Sequence, residues 1–246
     1  MATLTIYPSE NTYTRSSVPG STAPVIQGEN PLLQTRIGGW GDTYWSYFKF
    51  DLSSIPVGSI INTATLNLPV LSIYGGDPVG NVYRSAGAFA EATTTWTNQP
   101  GSTGSSYGSF SNGSAGTTST FNILTLLNEW IAGTYVNDGI CIKNSFQNPH
   151  FRNFGSKSQA SPSDRTRLEI DYTPPTIEQE GFRWRDDDGD EDGATWLQSQ
   201  DAHITRAKET ITRLRVLLNA TNDPGAKQFQ LEYRVKDSGD PWTKIT

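Results

Sequence analysis

Short runs of alternating apolar and polar residues, separated by clusters of turn-forming residues, occupy the first 173 positions of the chain. Phe48 and Phe50 fall on one face of such a run, and Leu66 and Leu68 share a face of another. Strands with one apolar face at this spacing are typical of a sandwich or barrel. The predicted strands are residues 3–7, 44–51, 60–68, 81–86, 139–144, 151–155 and 165–172.

This pattern predicts an all-β, jelly-roll or Greek-key sandwich with one short helix. Because Greek-key topologies bring distant strands together, we expect the first and last strands to pair. The helix is indicated by apolar residues at helical spacing from Ile123 to Ile131, between the capping residue Asn122 and Gly133. Residues 101–120 are mostly Ser, Gly and Thr, which predicts a surface loop.

The prolines in residues 174–176 mark a linker between a domain at 1–173 and a small β domain at 177–246. In the second domain, alternation at 213–218 and 228–233 predicts a pair of antiparallel strands. Roughly 70 residues with so few strands bury little apolar surface. We therefore expect this Ig-like or partial-sandwich domain to be truncated, or completed by homo-oligomerisation.

Charge and cysteine content exclude several classes of protein. The formal net charge is −6, which disfavours nucleic acid as a partner. The sequence has neither a long apolar segment nor the pattern of a signal peptide, so we expect no membrane association. Cys141 is the only cysteine and lies in an apolar run, which indicates a buried core thiol.

No motif for nucleophilic catalysis is present, and we expect a protein that is not an enzyme. Asp51 and Glu91 are the obvious carboxylates for a glycosidase pair, since such groups need only meet in space. The interpretation favoured here is that both have structural roles.

One acidic segment resembles a metal-binding loop. Asp188, Asp190, Asp192 and Gly193 match the first half of a calcium loop, but position twelve is Ser199 where Glu is needed. The pattern favours a solvated acidic hairpin tip, with a calcium site as the alternative. No other cofactor is expected.

Aromatic residues near glycine-rich turns are candidates for a sugar platform, because the apolar face of a pyranose ring stacks on an aromatic ring. The candidates are Trp40, Tyr44, Trp45 and Tyr74, with core packing as the alternative for each. Trp96 and Trp130 are predicted to lie in the core.

Residues 47–66, beginning Tyr-Phe-Lys-Phe-Asp-Leu and ending Thr-Ala-Thr-Leu, resemble the signature of the DNRLRE family of β-sandwich domains. The Trp-Thr-Asn-Gln-Pro segment at 96–100, the predicted helix and residues 137–140 are similar to later parts of that family. The resemblance covers about residues 3–173 and implies a sandwich fold. Such domains occur in secreted and cell-surface proteins, and some are treated as carbohydrate-binding modules attached to glycan-degrading enzymes.

Residues 178–234 resemble a small β module that recurs in phage-associated sequences. Together with the missing export signal, this favours a non-enzymatic bacteriophage virion structural protein, either a capsid decoration, a head fibre or a tail-fibre-type protein. Such a protein would lie on the virion surface as a homo-oligomer, bind other virion proteins and adhere to surface glycans. The alternative is a carbohydrate-binding module of a secreted or cell-surface glycan-processing protein.

Overall fold

The computed structural model describes residues 1–16, 32–37, 43–74, 80–110, 114–144, 150–190, 192–237 and 239–245. The contacts divide the chain into two units. The first unit comprises Met1–Ile55 and Ile61–Thr173, and the second comprises Pro56–Ile60 and Pro174–Thr246.

The described secondary structure is almost entirely β, which confirms the predicted fold class. The strands are β1 (Ala2–Ile6), β2 (Pro8–Arg15), β3 (Leu32–Ile37), β4 (Tyr44–Phe50), β5 (Ile60–Tyr74), β6 (Gly80–Ser85), β7 (Ser102–Phe110), β8 (Thr118–Asn122), β9 (Ile140–Asn144), β10 (His150–Gly155), β11 (Arg167–Thr173), β12 (Thr176–Asp186), β13 (Thr212–Thr221), β14 (Glu232–Tyr233) and β15 (Thr243–Lys244). One α-helix, α1 (Leu124–Ile131), lies between β8 and β9.

The first unit is built from two antiparallel sheets. In the described residues, one sheet has the order β1-β11-β5-β10-β3, with β8 also paired to β5, and the other has the order β2-β4-β9-β6-β7. The expected pairing of early and late strands is confirmed, because β1 pairs with β11 and places Leu4 opposite Ile170. Successive neighbours are distant in sequence, which fits a Greek-key type of sandwich.

The core of this unit follows the alternation seen in the sequence. Phe48, Phe50, Leu66 and Leu68 are fully buried in one hydrophobic cluster, as predicted. Burial of these side chains away from water provides the main favourable contribution to the free energy of folding of the sandwich.

Helix α1 covers part of this core. Leu126, Leu127 and Trp130 are its buried residues. The helical spacing predicted Leu127 and Trp130 on the core side, whereas Ile131, predicted on the same face, is 43% exposed. Asn122 accepts a hydrogen bond from the Leu124 N–H at 3.0 Å, so it satisfies one of the first amides of the helix. No helix in the described residues has the length and hydropathy needed to cross a membrane.

The prediction of a loop over residues 101–120 is wrong for most of that segment. Strand β7 pairs with β6, with Asn81 opposite Ser109, and strand β8 pairs with β5, with Leu66 opposite Phe121. Backbone hydrogen bonds to existing strands stabilise these polar segments, although their side chains have little β preference. Tyr107 packs against the core and anchors β7.

The turn before β9 requires glycine. Gly139 has φ +87°, and a Cβ at this position would lie 2.3 Å from the backbone oxygen of Phe48. Asn137 fixes the same turn, because its Nδ2 donates to the Phe50 carbonyl at 2.8 Å and its Oδ1 accepts from the Gly139 N–H at 3.3 Å. This turn therefore fastens β9 directly against β4.

The described part of the second unit contains two small sheets. Strand β13 pairs with β12, and Val216 lies opposite Phe182 in that ladder. The predicted pairing of 213–218 with 228–233 is therefore wrong, because β12 offers β13 a longer ladder with aromatic partners. Strand β14 pairs with β15. Completion of this unit by a second copy stays a prediction.

Candidate functional site

The outer face of the sheet β2-β4-β9-β6-β7 carries a second, smaller aromatic cluster. Residues that alternate with the core positions of β4 and β9 point to this face, among them Tyr47 and Cys141. Both are fully buried, and they pack with Phe89 and Trp45. Burial confirms the predicted core thiol and raises the pKa of Cys141 to about 12.

A connecting segment between β6 and β7 covers part of this face. Gln99 holds it in place, because its Oε1 accepts hydrogen bonds from Thr14 Oγ1 at 2.5 Å and from the Tyr47 hydroxyl at 3.0 Å. Within the segment, Asn98 Oδ1 accepts from the N–H and hydroxyl of Thr95 at 2.5 and 3.0 Å. The Trp-Thr-Asn-Gln-Pro motif therefore forms a rigid turn bound to the sheet.

Trp96 projects from this segment towards Trp45 of β4. Their ring centres are 5.5 Å apart, with an interplanar angle of 62°. Edge-to-face pairs of this kind stabilise each ring's orientation. Both tryptophans are half-buried, so the pair is anchored in the fold and still exposes part of its surface.

Lys143 of β9 lies beside this pair. Its Nζ is 5.1 Å from the centre of the Trp45 ring and 4.6 Å from the centre of the Tyr83 ring on β6. Both distances are within the range of cation–π contacts. Among the described residues, no carboxylate forms an ion pair with Lys143. We call Trp45, Trp96, Tyr83 and Lys143 the aromatic platform.

Polar residues extend the row in which the platform lies. Cross-strand register places Asn81 opposite Lys143 and Ser109 opposite Asn81. Side chains paired in this way share one face of a sheet. The platform therefore combines aromatic surface, one positive charge and a line of hydrogen-bonding groups across the strands.

The sequence candidates for a sugar platform have different positions in the fold. Trp45 belongs to the platform, whereas Tyr44 is only 2% exposed and lies in the main core against Tyr13. Its burial leaves no ring face for a ligand. Trp40 and the side chain of Tyr74 lie outside the described residues.

Three members of the platform were not singled out by the sequence. Trp96 had been predicted as a core residue, but it is half-buried on the outer face, whereas Trp130 is in the core as predicted. Tyr83 and Lys143 occupy outward positions of short strands, opposite in parity to Val82 and Ile142. This alternation with core residues could have indicated from the sequence that both side chains point outwards. Which residues become their neighbours depends on the register between β6 and β9.

The sequence model of carbohydrate-binding module family 96 matches residues 2–172, which spans the whole sandwich. The chain belongs to carbohydrate-binding module family 96. This match confirms the sandwich-type domain and supports the alternative of carbohydrate binding over the virion interpretation. It bears on neither the DNRLRE resemblance nor the phage-associated module. A search of the curated proteins found no match to the chain.

The two carboxylates considered for hydrolysis have structural partners in this family 96 module. Asp51 Oδ1 accepts a hydrogen bond from the Ser53 N–H at 2.9 Å, and the same contact lowers the pKa of Asp51. Glu91 forms an ion pair with Lys157, which also donates to the Ser9 carbonyl at 2.9 Å. Both groups therefore fasten loops of the sandwich.

The acidic tip of the second unit uses its carboxylates as backbone acceptors. Asp188 Oδ1 accepts from the Thr195 N–H at 2.8 Å, and Asp190 Oδ1 accepts from the N–H groups of Asp192 and Gly193 at 3.1 and 2.7 Å. These hydrogen bonds lower the pKa of both carboxyl groups. Within the described residues, no three His, Cys, Asp or Glu side chains are grouped to hold a metal ion.

Proposed function

We propose that the first unit is a non-catalytic module that binds a glycan across its aromatic platform. The observation that carries the proposal is the Trp45–Trp96 pair, anchored on a sheet of a family 96 sandwich and still partly open to solvent. Half-buried rings combine an apolar stacking surface with a fixed orientation, which limits the entropy lost when a sugar binds.

The polar groups of the platform would give orientation and specificity. Sugar hydroxyls both donate and accept hydrogen bonds, and Asn81 and Ser109 supply groups of both kinds on neighbouring strands. A row across several strands suits an extended chain of sugar residues better than a single one. We therefore infer an oligosaccharide or polysaccharide ligand.

The positive charge of Lys143 would favour a negatively charged ligand. Its ammonium lies between two aromatic rings, and among the described residues it has no carboxylate in ion-pairing distance. A sugar that carries a carboxylate or sulfate group would provide that partner, with a charge-assisted hydrogen bond. We therefore infer an acidic glycan, located outside cells or on a cell surface.

The virion interpretation stays a prediction, as do its capsid and fibre variants, its localisation and its protein partners. Neither the platform nor the family match adds support to it.

Affinity gel electrophoresis of the purified chain against a panel of neutral and acidic polysaccharides tests the proposal. We expect retarded migration in gels that contain an acidic polysaccharide, with no release of reducing ends on prolonged incubation. Bovine serum albumin in the same gels controls for sieving by the polymer. Unretarded migration with every polysaccharide, or release of reducing ends, would overturn the proposal.

A further inference from the structure

Two pairs of arginines lie directly opposite each other on one face of the ladder between β12 and β13. The register places Arg183 opposite Arg215 and Arg185 opposite Arg213. Like charges in directly opposite positions destabilise a sheet. An acceptor near either pair, from the protein or from a ligand, would offset this repulsion.

Arg213 and Arg185 have acceptors within the second unit. Arg213 forms an ion pair with Asp187 at 2.5 Å, and its Nη1 donates to the Gly189 carbonyl at 3.2 Å. Arg185 is only 3% exposed and donates to the Ala194 carbonyl at 2.7 Å. These two arginines hold the acidic tip of the second unit.

Arg183 has a different environment. Its Nε donates to the Gln198 carbonyl at 2.7 Å, and its guanidinium carbon lies 4.2 Å from the centre of the Trp196 ring. These contacts fix the plane of the guanidinium and leave its Nη N–H groups for another acceptor. Among the residues that the structure describes, no carboxylate forms an ion pair with Arg183.

Arg183 and Arg215 line the same open depression, which has a volume of about 310 Å³. Trp196, Gln200 and Leu217 also line it. The neighbouring Asp201 uses its carboxylate internally, accepting from the Phe182 N–H at 2.8 Å and from Gln200 Nε2 at 3.2 Å. The depression thus joins two arginines to an aromatic wall and an amide.

We propose that this arginine depression, formed by Arg183, Arg215, Trp196 and Gln200, binds an oxyanion group of a ligand: a carboxylate, sulfate or phosphate. A guanidinium held over an aromatic ring can still form two parallel hydrogen bonds to such a group through its N–H groups. The site is separate from the aromatic platform and does not depend on it. Trp196 acts as a positioning residue for Arg183.

Nuclear magnetic resonance of the full chain at low salt tests this site, with the arginine Nε–H signals as reporters. Inorganic phosphate, inorganic sulfate and acetate serve as minimal probes. A sulfated and a uronic-acid oligosaccharide then distinguish binding of a free ion from binding of an anionic group on a sugar. We expect a saturable shift of the Arg183 signal with at least one probe, with a Kd on the order of millimolar for the small ions.

Matched variants separate a built site from general electrostatic attraction. Arg183→Gln is expected to lower the affinity about tenfold, while Lys208→Gln, which removes the same charge from an exposed position of the same unit, changes it less than about twofold. Arg183→Lys keeps the charge without the planar fork and should bind about threefold or more weakly than the original chain. Circular dichroism checks that each variant is folded.

Three results would overturn the proposal: shifts that never saturate, equal losses in Arg183→Gln and Lys208→Gln, or unchanged affinity in Arg183→Lys. A further check uses Trp196→Leu, which should weaken anion binding while leaving binding of polysaccharide to the platform unchanged. Loss of platform binding in that variant would also contradict the separation of the two sites.

Discussion

Lys143 lies over the ring of Trp45, with its Nζ 5.1 Å from the ring centre. A second ring, that of Tyr83, lies 4.6 Å from the same nitrogen. The ammonium group of Lys143 thus lies within cation–π distance of two rings at the outer face of the sheet. This arrangement makes the platform sensitive to the charge of its ligand.

Replacing Lys143 by glutamine should reduce the affinity for acidic polysaccharides about tenfold, since one charge-assisted hydrogen bond is lost. Affinity for a neutral polysaccharide that binds should change less than about twofold. The original chain should also lose acidic-glycan affinity as salt is raised, because the charge is partly exposed. Isothermal titration calorimetry at two salt concentrations measures both effects, and equal losses for neutral and acidic ligands would contradict this role.

Removing the side chain of Gln99 should destabilise the first unit by about 1–3 kcal/mol, because the buried Tyr47 hydroxyl loses its acceptor. Urea denaturation followed by tryptophan fluorescence measures the change in the free energy of unfolding. Tyr47→Phe combined with Gln99→Ala should cost less than the sum of the two single changes. Strict additivity would show that this hydrogen bond does not couple the two residues.

Gly139→Ala should destabilise the sandwich by about 3 kcal/mol or more, since the new Cβ meets the Phe48 carbonyl and the φ angle is left-handed. Gly104→Ala is the matched control, because Gly104 has φ +77° and nothing lies within 4 Å of an added Cβ. The control should cost only about 1–2 kcal/mol from backbone strain. Equal costs by urea denaturation would rule out the proposed clash.

The thiol of Cys141 should not react with a disulfide reagent at pH 8 in the native protein. Burial keeps the thiol protonated at this pH by raising its pKa to about 12, and removes it from solvent. Reaction should become complete in 6 M guanidinium chloride, an ordinary denaturing concentration. Rapid modification of the folded chain would show that the outer-face cluster is open.

The hydrogen bonds of the acidic tip should be lost only at acidic pH. The folded-state pKa values of Asp188 and Asp190 are lowered by hydrogen bonds to their carboxylates, so the stabilisation is present above the unfolded pKa and is lost as pH falls through the folded one. The window lies below about pH 4. Amide signals of Gly193 and Thr195 should keep their positions from pH 7 to 5 and change below it. A transition above pH 5 would contradict this assignment.

Local pattern was sufficient to predict much of the first unit. Alternation placed Phe48 and Leu66 in the core, and helical spacing placed Trp130 there, because burial on one face dictates the residue type at each position. Strand β7 was missed because its Ser-rich and Gly-rich sequence has no apolar face. It forms a strand because it pairs with β6, and local composition does not indicate which distant segments pair.

The platform was less predictable for the same reason. Trp45 was identified from its type and position, but Lys143 and Tyr83 come together only through the register of β9 with its neighbours. Trp96 was assigned to the core because tryptophans are mostly buried. In the structure, its ring packs against Trp45 on the outer face of the sheet. In the second unit, β13 had two candidate partners, and the longer ladder with β12 formed.

Calorimetric titration of an acidic polysaccharide into the original chain and into Trp45→Ala, Trp96→Ala and Trp242→Ala tests directly whether the aromatic platform binds the glycan. Trp242 is 57% exposed in the second unit and serves as the control for loss of a tryptophan. The platform variants, still folded by circular dichroism, should lose affinity about tenfold or more, while Trp242→Ala should bind like the original chain. Unchanged affinity in both platform variants, with polysaccharide still bound, would contradict binding at the platform.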